Sequence, residues 1–486
     1  MIMDKSKQVD ELLNKLKQCA NKSLEKGNFE KALAAISAGC QIEYEFNQKY
    51  VDYDFENCIS GIAEQYRQSL KDKLDNYTPD AKTVLFYDGF GMDVRGVAKM
   101  YLSALKKNNY HIIYVTGNQA AGNLPETLSI LEDADATIRY IDCYSSYKQW
   151  LDDLLNVIFE TSPKAMLFYT IPYDSSGAVA FAVMDKLADR FLIDLTDHAF
   201  WLGVNSNDYF CGSREMSASN QVYERKIDKN KLIKLGVNLI IEEGNDHTGL
   251  PFDVLTERYI FSGGALYKTL GDENNYFYRI VDHILSEHKD VKFLYAGFGD
   301  TSKMDEIIRK FPEQAYLISE RKDFYYLIQH CVLYLNTYPM FGGMMMKFSA
   351  NAGRIPVTLK HDNDSDGLLL DQADRRIEYD TYEDLISDVD RLLSEPEYLK
   401  EREALLNGSV ITEERFVKNV FSTIENHKTD YEHSFEHIDT SKFRSEFYDR
   451  FDFDKAKDAV SRKINKSLVS EFPWILSNMI KRKFSK

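Results

Sequence analysis

The sequence has few cysteines and no long hydrophobic run, and each absence excludes a class of protein. The six cysteines are widely spaced among 486 residues, at positions 19, 40, 58, 143, 211 and 331. They lack both the CxxC pairs of a zinc site and the density of a disulfide framework, so we expect free thiols in a reducing cytosol. No run of 18 apolar residues occurs, and the start, MIMDKSKQVDELL, lacks the apolar core of a signal peptide. The sequence therefore predicts a cytoplasmic protein without a membrane-spanning segment.

The charge balance is strongly acidic, which argues against nucleic acid as the principal partner. The chain carries a net charge of −17 at pH 7, and such a chain repels a phosphate backbone. Any phosphate that it binds must be captured by local positive groups. With 44% hydrophobic residues and a length beyond the usual limit of one core, the composition predicts a globular protein of about two to four domains.

The pattern of apolar residues divides the chain into four segments. Residues 1–78 have helical periodicity and include KSLEKGNFEKALAAISAG, which resembles one tetratricopeptide unit without a second copy. Residues 80–250 and 255–430 each alternate strand-like apolar runs with helices, which indicates parallel sheets covered by helices. We therefore predict an α/β protein in which two Rossmann-like domains face a cleft. Residues 431–486 are predicted to form a helical tail.

Candidate residues of the first domain lie in loops that follow strands, because open parallel sheets bind ligands outside the carboxyl ends of their strands. The loop DGFGMDVRG supplies Gly91 and Arg95 as candidate acceptor-binding residues. The loop DLTDHAFWLG adds Asp197 and His198 as a candidate catalytic acid and base, and Trp201 as an aromatic wall for the acceptor. A tight βα turn and a structural histidine remain the alternatives.

The second domain has the loops best suited to an anionic diphosphate. IFSGGALYKTLG places Ser262, Gly263 and Gly264 at a strand end, and Lys268 follows four residues later. Backbone amides and an ammonium group are thereby brought to one loop, although a plain turn with a solvated lysine is the alternative. The GxxxxGK[ST] spacing of a P-loop is absent. Further candidate donor-binding residues follow later strands: Gly297, Arg321, Gly342, Gly343 and Lys347.

The sequence contains no convincing metal-binding motif. DNDSD at 362–366 is interpreted as a solvated acidic turn, and the run of methionines at 344–346 as packing residues without a His or Cys beside them. We therefore predict neither a metal nor a cofactor. Helix termini and cationic side chains would stabilise a departing diphosphate instead.

The order of these motifs resembles that of bacterial GT-B glycosyltransferases of polysaccharide and glycoprotein biosynthesis. The resemblance rests on DGFGMDVRGVAKMYLSALKKNNYHIIYVTG and DHAFWLG in the first domain, and on GGALYK, AGFGD, SERKDF, PMFGG and GRIPVTL in the second. It implies that the second domain binds a nucleotide sugar, expected to be UDP-linked, and that the first binds the acceptor. By this resemblance Lys268 would bind the diphosphate above Gly342 and Gly343. Arg321 would lie near the nucleotide, and His198 would face the reacting sugar.

Departures from that family's pattern leave the stereochemical outcome open. Gly263 stands where many retaining members have an arginine, and Phe341 and Ser349 stand where they have glutamates. The predicted function is a metal-independent hexosyltransferase that acts on a glycan, lipid-linked or protein acceptor in bacterial cell-surface glycan or glycoprotein biosynthesis. Two alternatives remain open. One is a non-catalytic subunit that stabilises a partner glycosyltransferase, and the other is a sugar-nucleotide epimerase.

Both ends of the chain suggest contacts with other molecules. The last 26 residues contain seven lysines and arginines against the single acid Glu471, interspersed with apolar side chains such as Trp474 and Ile480. Such a tail favours peripheral contact with the inner face of a membrane, with a packed final helix as the equal alternative. The N-terminal helices are predicted to offer a surface for a protein partner.

Overall fold

A computed structural model describes residues 5–93, 96–241, 247–340, 342–360, 377–462 and 466–484. The chain divides into two compact units. Unit 1 comprises Met1–Gly236 and Glu414–Lys486, and unit 2 comprises Val237–Glu413.

Unit 1 begins with helices: α1 (Lys5–Glu25), α2 (Phe29–Phe46), α3 (Tyr53–Ser69) and α4 (Lys71–Asp75). Their starts follow local chemistry, since the side chain of Asn28 accepts the Lys31 amide and that of Asp52 accepts the Asp54 amide. The apolar residues of α1 recur at helical spacing and are buried, while α2 is buried on nearly all sides. A helix of that kind belongs to a core.

The sheet of unit 1 has seven parallel strands in the order β3-β2-β1-β4-β5-β6-β7. The strands are β1 (Asp80–Asp88), β2 (His111–Gly117), β3 (Thr137–Ile141), β4 (Pro163–Tyr169), β5 (Asp189–Ile193), β6 (Tyr209–Gly212) and β7 (Leu232–Lys234). The helices between them are α5 (Gly96–Lys107), α6 (Pro125–Asp133), α7 (Tyr147–Thr161), α8 (Ser175–Val183) and α9 (Glu215–Ser219). Strand β4 is buried along nearly its whole length and β1 from Thr83 onward, as expected for a sheet covered on both faces.

The sheet of unit 2 has six parallel strands in the order β10-β9-β8-β11-β12-β13. The strands are β8 (Arg258–Ala265), β9 (Val291–Phe298), β10 (Ala315–Ile318), β11 (Leu333–Leu335), β12 (Ile355–Leu359) and β13 (Glu378–Tyr379). The helices are α10 (Tyr276–Glu287), α11 (Ser302–Lys310), α12 (Phe324–His330), α13 (Gly343–Asn351), α14 (Tyr382–Ser394) and α15 (Pro396–Ala404).

The C-terminal helices return to unit 1. They are α16 (Glu413–Asn426), α17 (Ser441–Arg450), α18 (Phe453–Val460) and α19 (Pro473–Phe484). Phe416 of α16 packs edge-on against Tyr101, with 5.6 Å between the ring centroids, and Phe451 packs against Phe46 at 4.8 Å. Both chain ends therefore share the hydrophobic core of unit 1. The sequence-based boundaries differ, because they assigned 414–430 to the second domain and treated 1–78 and 431–486 as separate segments.

The predicted class, an α/β protein with two Rossmann-like sheets and helical ends, is confirmed. In each sheet the strand order reverses once, between β1 and β4 in unit 1 and between β8 and β11 in unit 2. These reversals are topological switch points, where open α/β sheets place their ligands. All six cysteines are free and buried. Within the described ranges, no helix combines the length and apolar character needed to cross a bilayer.

Candidate functional site

The switch point of unit 2 brings together the ends of β8 and β11. Leu333 and Tyr334 pair with Ile260 and Phe261, so the residues that follow, Ser262 on β8 and Asn336 after β11, lie at the same edge of the sheet. Ser262 was predicted as a donor-binding residue. Asn336 was missed, although a polar side chain directly after a buried strand is the signal that singled out the other loops.

Two buried polar atoms at this edge have no hydrogen-bond partner within the described residues. They are the hydroxyl of Ser262 and the side-chain NH2 of Asn336. Both residues are buried, and the other side-chain atom of Asn336, Oδ1, accepts the Gly342 amide at 3.0 Å. Buried polar groups are nearly always satisfied, so unpartnered ones call for a water or ligand.

Helix α13 begins at this edge. Gly342 is its N-cap, and the first intrahelical bond runs from the Met346 amide to the Gly342 carbonyl at 3.2 Å. The amides of the first turn, from Gly343 onward, have no acceptor within the helix and carry the positive end of its dipole. The predicted Gly342 and Gly343 therefore lie at a helix start, but the Gly342 amide is already bonded to Asn336.

Lys268 lies beside this helix start. It belongs to a 3-10 turn, Leu266–Thr269, and its carbonyl accepts the Met340 amide at 3.1 Å, which ties that turn to the loop before α13. Its side chain is half-buried, and burial lowers the pKa of the ammonium group. In the part of the chain that the structure describes, this ammonium has no carboxylate or hydrogen-bond partner. An anionic ligand would supply one.

The glycines of β8 and β9 are explained by close backbone approach. Gly263 and Gly264 lie in the last part of β8 and pair with Ala296 and Gly297. A Cβ at Gly297 would lie 2.0 Å from the Gly264 carbonyl oxygen, and Gly264 has φ +127°. Only glycine meets both requirements, so these residues shape the strand ends.

Arg321 and Lys347 occupy different settings from Lys268. The guanidinium of Arg321, in the loop after β10, bonds both carboxylate oxygens of Asp323 at 2.7 Å and the Thr248 carbonyl at 2.9 Å. It is thus neutralised locally. Lys347 is buried on α13, one turn after the helix start.

In unit 1, the loop after β5 is held by buried charge. Both oxygens of the buried Asp197 carboxylate accept bonds from the Arg214 guanidinium. Burial alone would raise the pKa of Asp197, but Arg214 and the adjacent imidazole of His198 hold it well below its usual range. Asp197 is therefore an ionised partner in an ion pair with Arg214.

His198 is oriented rather than buried. Its Nδ1 lies 3.4 Å from Asp197, its backbone carbonyl accepts a bond from Asn47 at 3.1 Å, and its ring packs edge-on against Phe443. The ring is 38% exposed. A carboxylate at Nδ1 leaves Nε2 as the nitrogen for proton transfer, which is the arrangement that a general base requires.

Trp201 is buried in the core of unit 1, where it lines a cavity of about 20 Å³. It is buried, stacks on Phe210 at 5.9 Å, and has the buried guanidinium of Arg225 4.2 Å from its ring centroid. The following residues, 203–205, donate their amides to the buried carboxylate of Glu56 at 2.8 to 3.0 Å. Helix α3 therefore fixes this loop.

Gly91 forms a tight turn after β1. Its φ is +61°, and its amide and that of Phe90 donate to the buried carboxylate of Asp88 at 2.9 and 3.0 Å. A Cβ there would lie 2.7 Å from that of Ala120. This turn therefore supports the end of β1. The other candidate of the loop, Arg95, lies outside the described residues.

The described residues contain no group of three or more His, Cys, Asp or Glu side chains placed to hold a metal ion. The acidic segment 362–366 lies outside them, as does Phe341. The predicted absence of a metal stays a prediction.

Comparison with known proteins shows which solved structures share this fold. No family model and no curated protein matches the sequence. Among solved structures, the chain is similar to a glycosyltransferase from Rickettsia africae ESF-5, with a TM-score of 0.52 and 10% identity over 71% of this chain and 99% of that one. It is also similar to a UDP-N-acetylglucosamine 2-epimerase, with a TM-score of 0.50 and 11% identity over 72% and 96% of the two chains. At such identities the likeness shows the fold alone. The two Rossmann-like units have the GT-B fold.

Proposed function

We propose that the chain is a glycosyltransferase that binds the diphosphate of a nucleotide-sugar donor at the strand ends of unit 2. The observation that carries the proposal is the meeting of a helix start, two unpartnered buried polar groups and a lysine without a described partner at one switch point. A diphosphate offers acceptors to the helix amides, to Ser262, to Asn336 and to Lys268. The name of one structural neighbour, a UDP-N-acetylglucosamine 2-epimerase, favours a UDP-linked sugar.

The same groups stabilise the leaving diphosphate. When the bond between the sugar and the donor phosphate breaks, negative charge builds up on the phosphate oxygen. The Lys268 ammonium and the first-turn amides of α13 are fixed before the reaction begins, so they need no reorganisation to receive that charge. We propose on this basis that transfer proceeds without a metal ion.

Unit 1 is proposed to bind the acceptor, a glycan, lipid-linked or protein hydroxyl in bacterial cell-surface glycan or glycoprotein biosynthesis. His198 is proposed as the base that removes the proton of that hydroxyl through Nε2 if the reaction inverts. Asp197 is then a positioning residue, since its carboxylate is ion-paired with Arg214 and faces Nδ1 of the imidazole.

Replacing Lys268 with alanine tests the donor site. Release of UDP from a donor panel should fall about 100-fold or more, because a preorganised electrostatic group is lost from the leaving-group site. Lys303→Ala is the matched control, since Lys303 is a lysine of unit 2 that pairs with Glu306 on the surface. Turnover at the wild-type rate in Lys268→Ala, with both variants folded by circular dichroism, would remove the proposal.

An epimerase is the second candidate, favoured by the fold likeness to a UDP-N-acetylglucosamine 2-epimerase. An epimerase converts its nucleotide sugar without an acceptor, whereas a transferase needs an acceptor for products other than hydrolysis. Incubation with UDP-N-acetylglucosamine alone, followed by NMR of the sugar protons, separates the two. Donor binding without any product would instead favour the non-catalytic subunit.

A further inference from the structure

The switch point of unit 1 also has a pocket, and its walls are aromatic. It opens between the ends of β1 and β4, at Gly89 and Tyr173, and is bounded by Gln119 after β2 and Tyr144 after β3. Tyr147 and Trp150 of α7 complete it. Since ligands of open α/β sheets bind at such reversals, the pocket stands where a substrate of unit 1 is expected.

The inner rings of the pocket are fixed in place. Tyr147 and Trp150 stack with centroids 6.3 Å apart and an angle of 15° between the rings. The Tyr147 hydroxyl bonds Ser37 of α2 at 3.2 Å, and the indole N–H of Trp150 donates to the Tyr87 hydroxyl at 2.9 Å. Helix α2 thus contributes to the wall of the pocket, and hydrogen bonds hold both rings in place.

Tyr144 stands at the rim with 57% of its surface exposed. Its turn is fixed by Asp142, which accepts the amides of Tyr144 and Ser145 at 2.9 and 3.0 Å. The cavity volume is about 50 Å³, well below the roughly 300–1,000 Å³ of a pocket that buries a whole ligand. A ligand ring bound here would enter by one edge, with one face against the exposed ring of Tyr144.

The chemistry of the lining selects the ligand. Among the described residues that line it, none carries a charged side chain, and the polar groups are the Gln119 amide, the Ser37 hydroxyl and tyrosine hydroxyls. An anion would be desolvated here without a cationic partner, which is costly. A saccharide ring has an apolar face that can stack on the aromatic rings. Its hydroxyls can form hydrogen bonds with the Gln119 amide and with the hydroxyl groups of the lining. Burial raises the pKa of the Cys143 thiol, so the pocket holds no thiolate nucleophile.

We propose that this aromatic pocket binds a neutral saccharide ring, and that this ring belongs to the acceptor. The second part rests on the proposed function, whereas saccharide binding does not. The pocket is lined by neither Trp201 nor Gly91, which the sequence predicted to bind the acceptor. Trp201 is buried in the core, and Gly91 forms a turn.

Saturation-transfer NMR with methyl glycosides and neutral disaccharides tests the pocket on the full chain. We expect binding to the wild type and to Tyr144→Phe, and an affinity about tenfold weaker for Tyr144→Ala, because one stacking face is lost. Tyr140→Ala is the matched control: Tyr140 lies on β3 and is 43% exposed, but does not line the pocket. Wild-type affinity in Tyr144→Ala, no binding by any neutral saccharide, or a preference for glucose 6-phosphate over methyl glucoside would overturn the proposal.

Donor turnover separates the two proposals. If saccharides bind through Tyr144 but no UDP-sugar is turned over, the pocket stands and the glycosyltransferase assignment fails. If a UDP-sugar is transferred equally well by the wild type and by Tyr144→Ala, the glycosyltransferase stands and the assignment of the pocket to the acceptor fails.

Discussion

At the scale of single residues, the ion pair between Asp197 and Arg214 holds the loop after β5. Asp197 is buried, so replacing it with asparagine leaves Arg214 without its carboxylate. We expect the free energy of unfolding, measured in urea, to fall by about 3–5 kcal/mol, as for other broken buried pairs. Asp133→Asn is the control, since Asp133 pairs with Lys106 on the surface and is expected to contribute about 1 kcal/mol or less.

The same ion pair determines in which direction the free energy of unfolding changes with pH. The folded pKa of Asp197 is lowered, so its contribution is full above the unfolded value of about 4 and is lost as the pH falls below it. Asp197→Asn should therefore lose less stability on acidification than the wild type. An equal loss in both proteins, or an unchanged free energy of unfolding at neutral pH, would contradict this role.

Single residues also mark the limit of what the sequence predicts about the site. Ser262, Lys268 and the Gly342–Gly343 turn were predicted, and the fold brings them to one edge. Asn336 was not, because its contact with Gly342 and its place beside Ser262 follow from strand pairing. Arg321 was expected near the nucleotide. Its side chain bonds the carboxylate of Asp323 instead, and the direction of a side chain cannot be read from the sequence.

At the scale of elements, helix α19 is the part of the tail that suits a membrane surface. Its buried face holds Ile475 in the core of unit 1, while Leu476 and Ile480 are 46% and 49% exposed one turn apart. Lys481 and Lys483 follow in the last turn. An apolar pair beside basic side chains is the pattern of a helix that rests on anionic lipid.

Replacing Leu476 and Ile480 together with glutamine tests that contact without removing the buried face. Co-sedimentation with vesicles of phosphatidylglycerol and phosphatidylcholine should weaken about tenfold or more, because two exposed aliphatic side chains no longer enter the lipid. Leu255→Gln changes an exposed leucine of unit 2 and serves as the control. Equal sedimentation of all three proteins, or none by the wild type, would contradict membrane contact.

The elements also show where sequence patterns suffice. Long apolar runs such as TVLFYD and VKFLYAGF predicted β1 and β9 because buried parallel strands are continuously hydrophobic. Strands β6, β7 and β13 were not predicted. They are four, three and two residues long, and the apolar runs there have at most three residues, too few to indicate a strand.

At the scale of the whole molecule, the chain leaves unit 1 at Gly236 and returns at Glu414, so unit 2 is formed by one internal segment. Sequence periodicity finds helices but does not tell which core receives their apolar faces. That is why α16 was assigned to the second domain, although Phe416 packs on Tyr101 of unit 1. The two switch points are defined by the strand order of each sheet. Each of them holds one of the two proposed sites.

The most direct test of the central claim is a crystal structure of the full chain with UDP. The account predicts the diphosphate at the first turn of α13, with phosphate oxygens within hydrogen-bond distance of the Gly343 amide and the Lys268 ammonium. UDP bound elsewhere on the chain, with Lys268 and the α13 start free of phosphate, would contradict it.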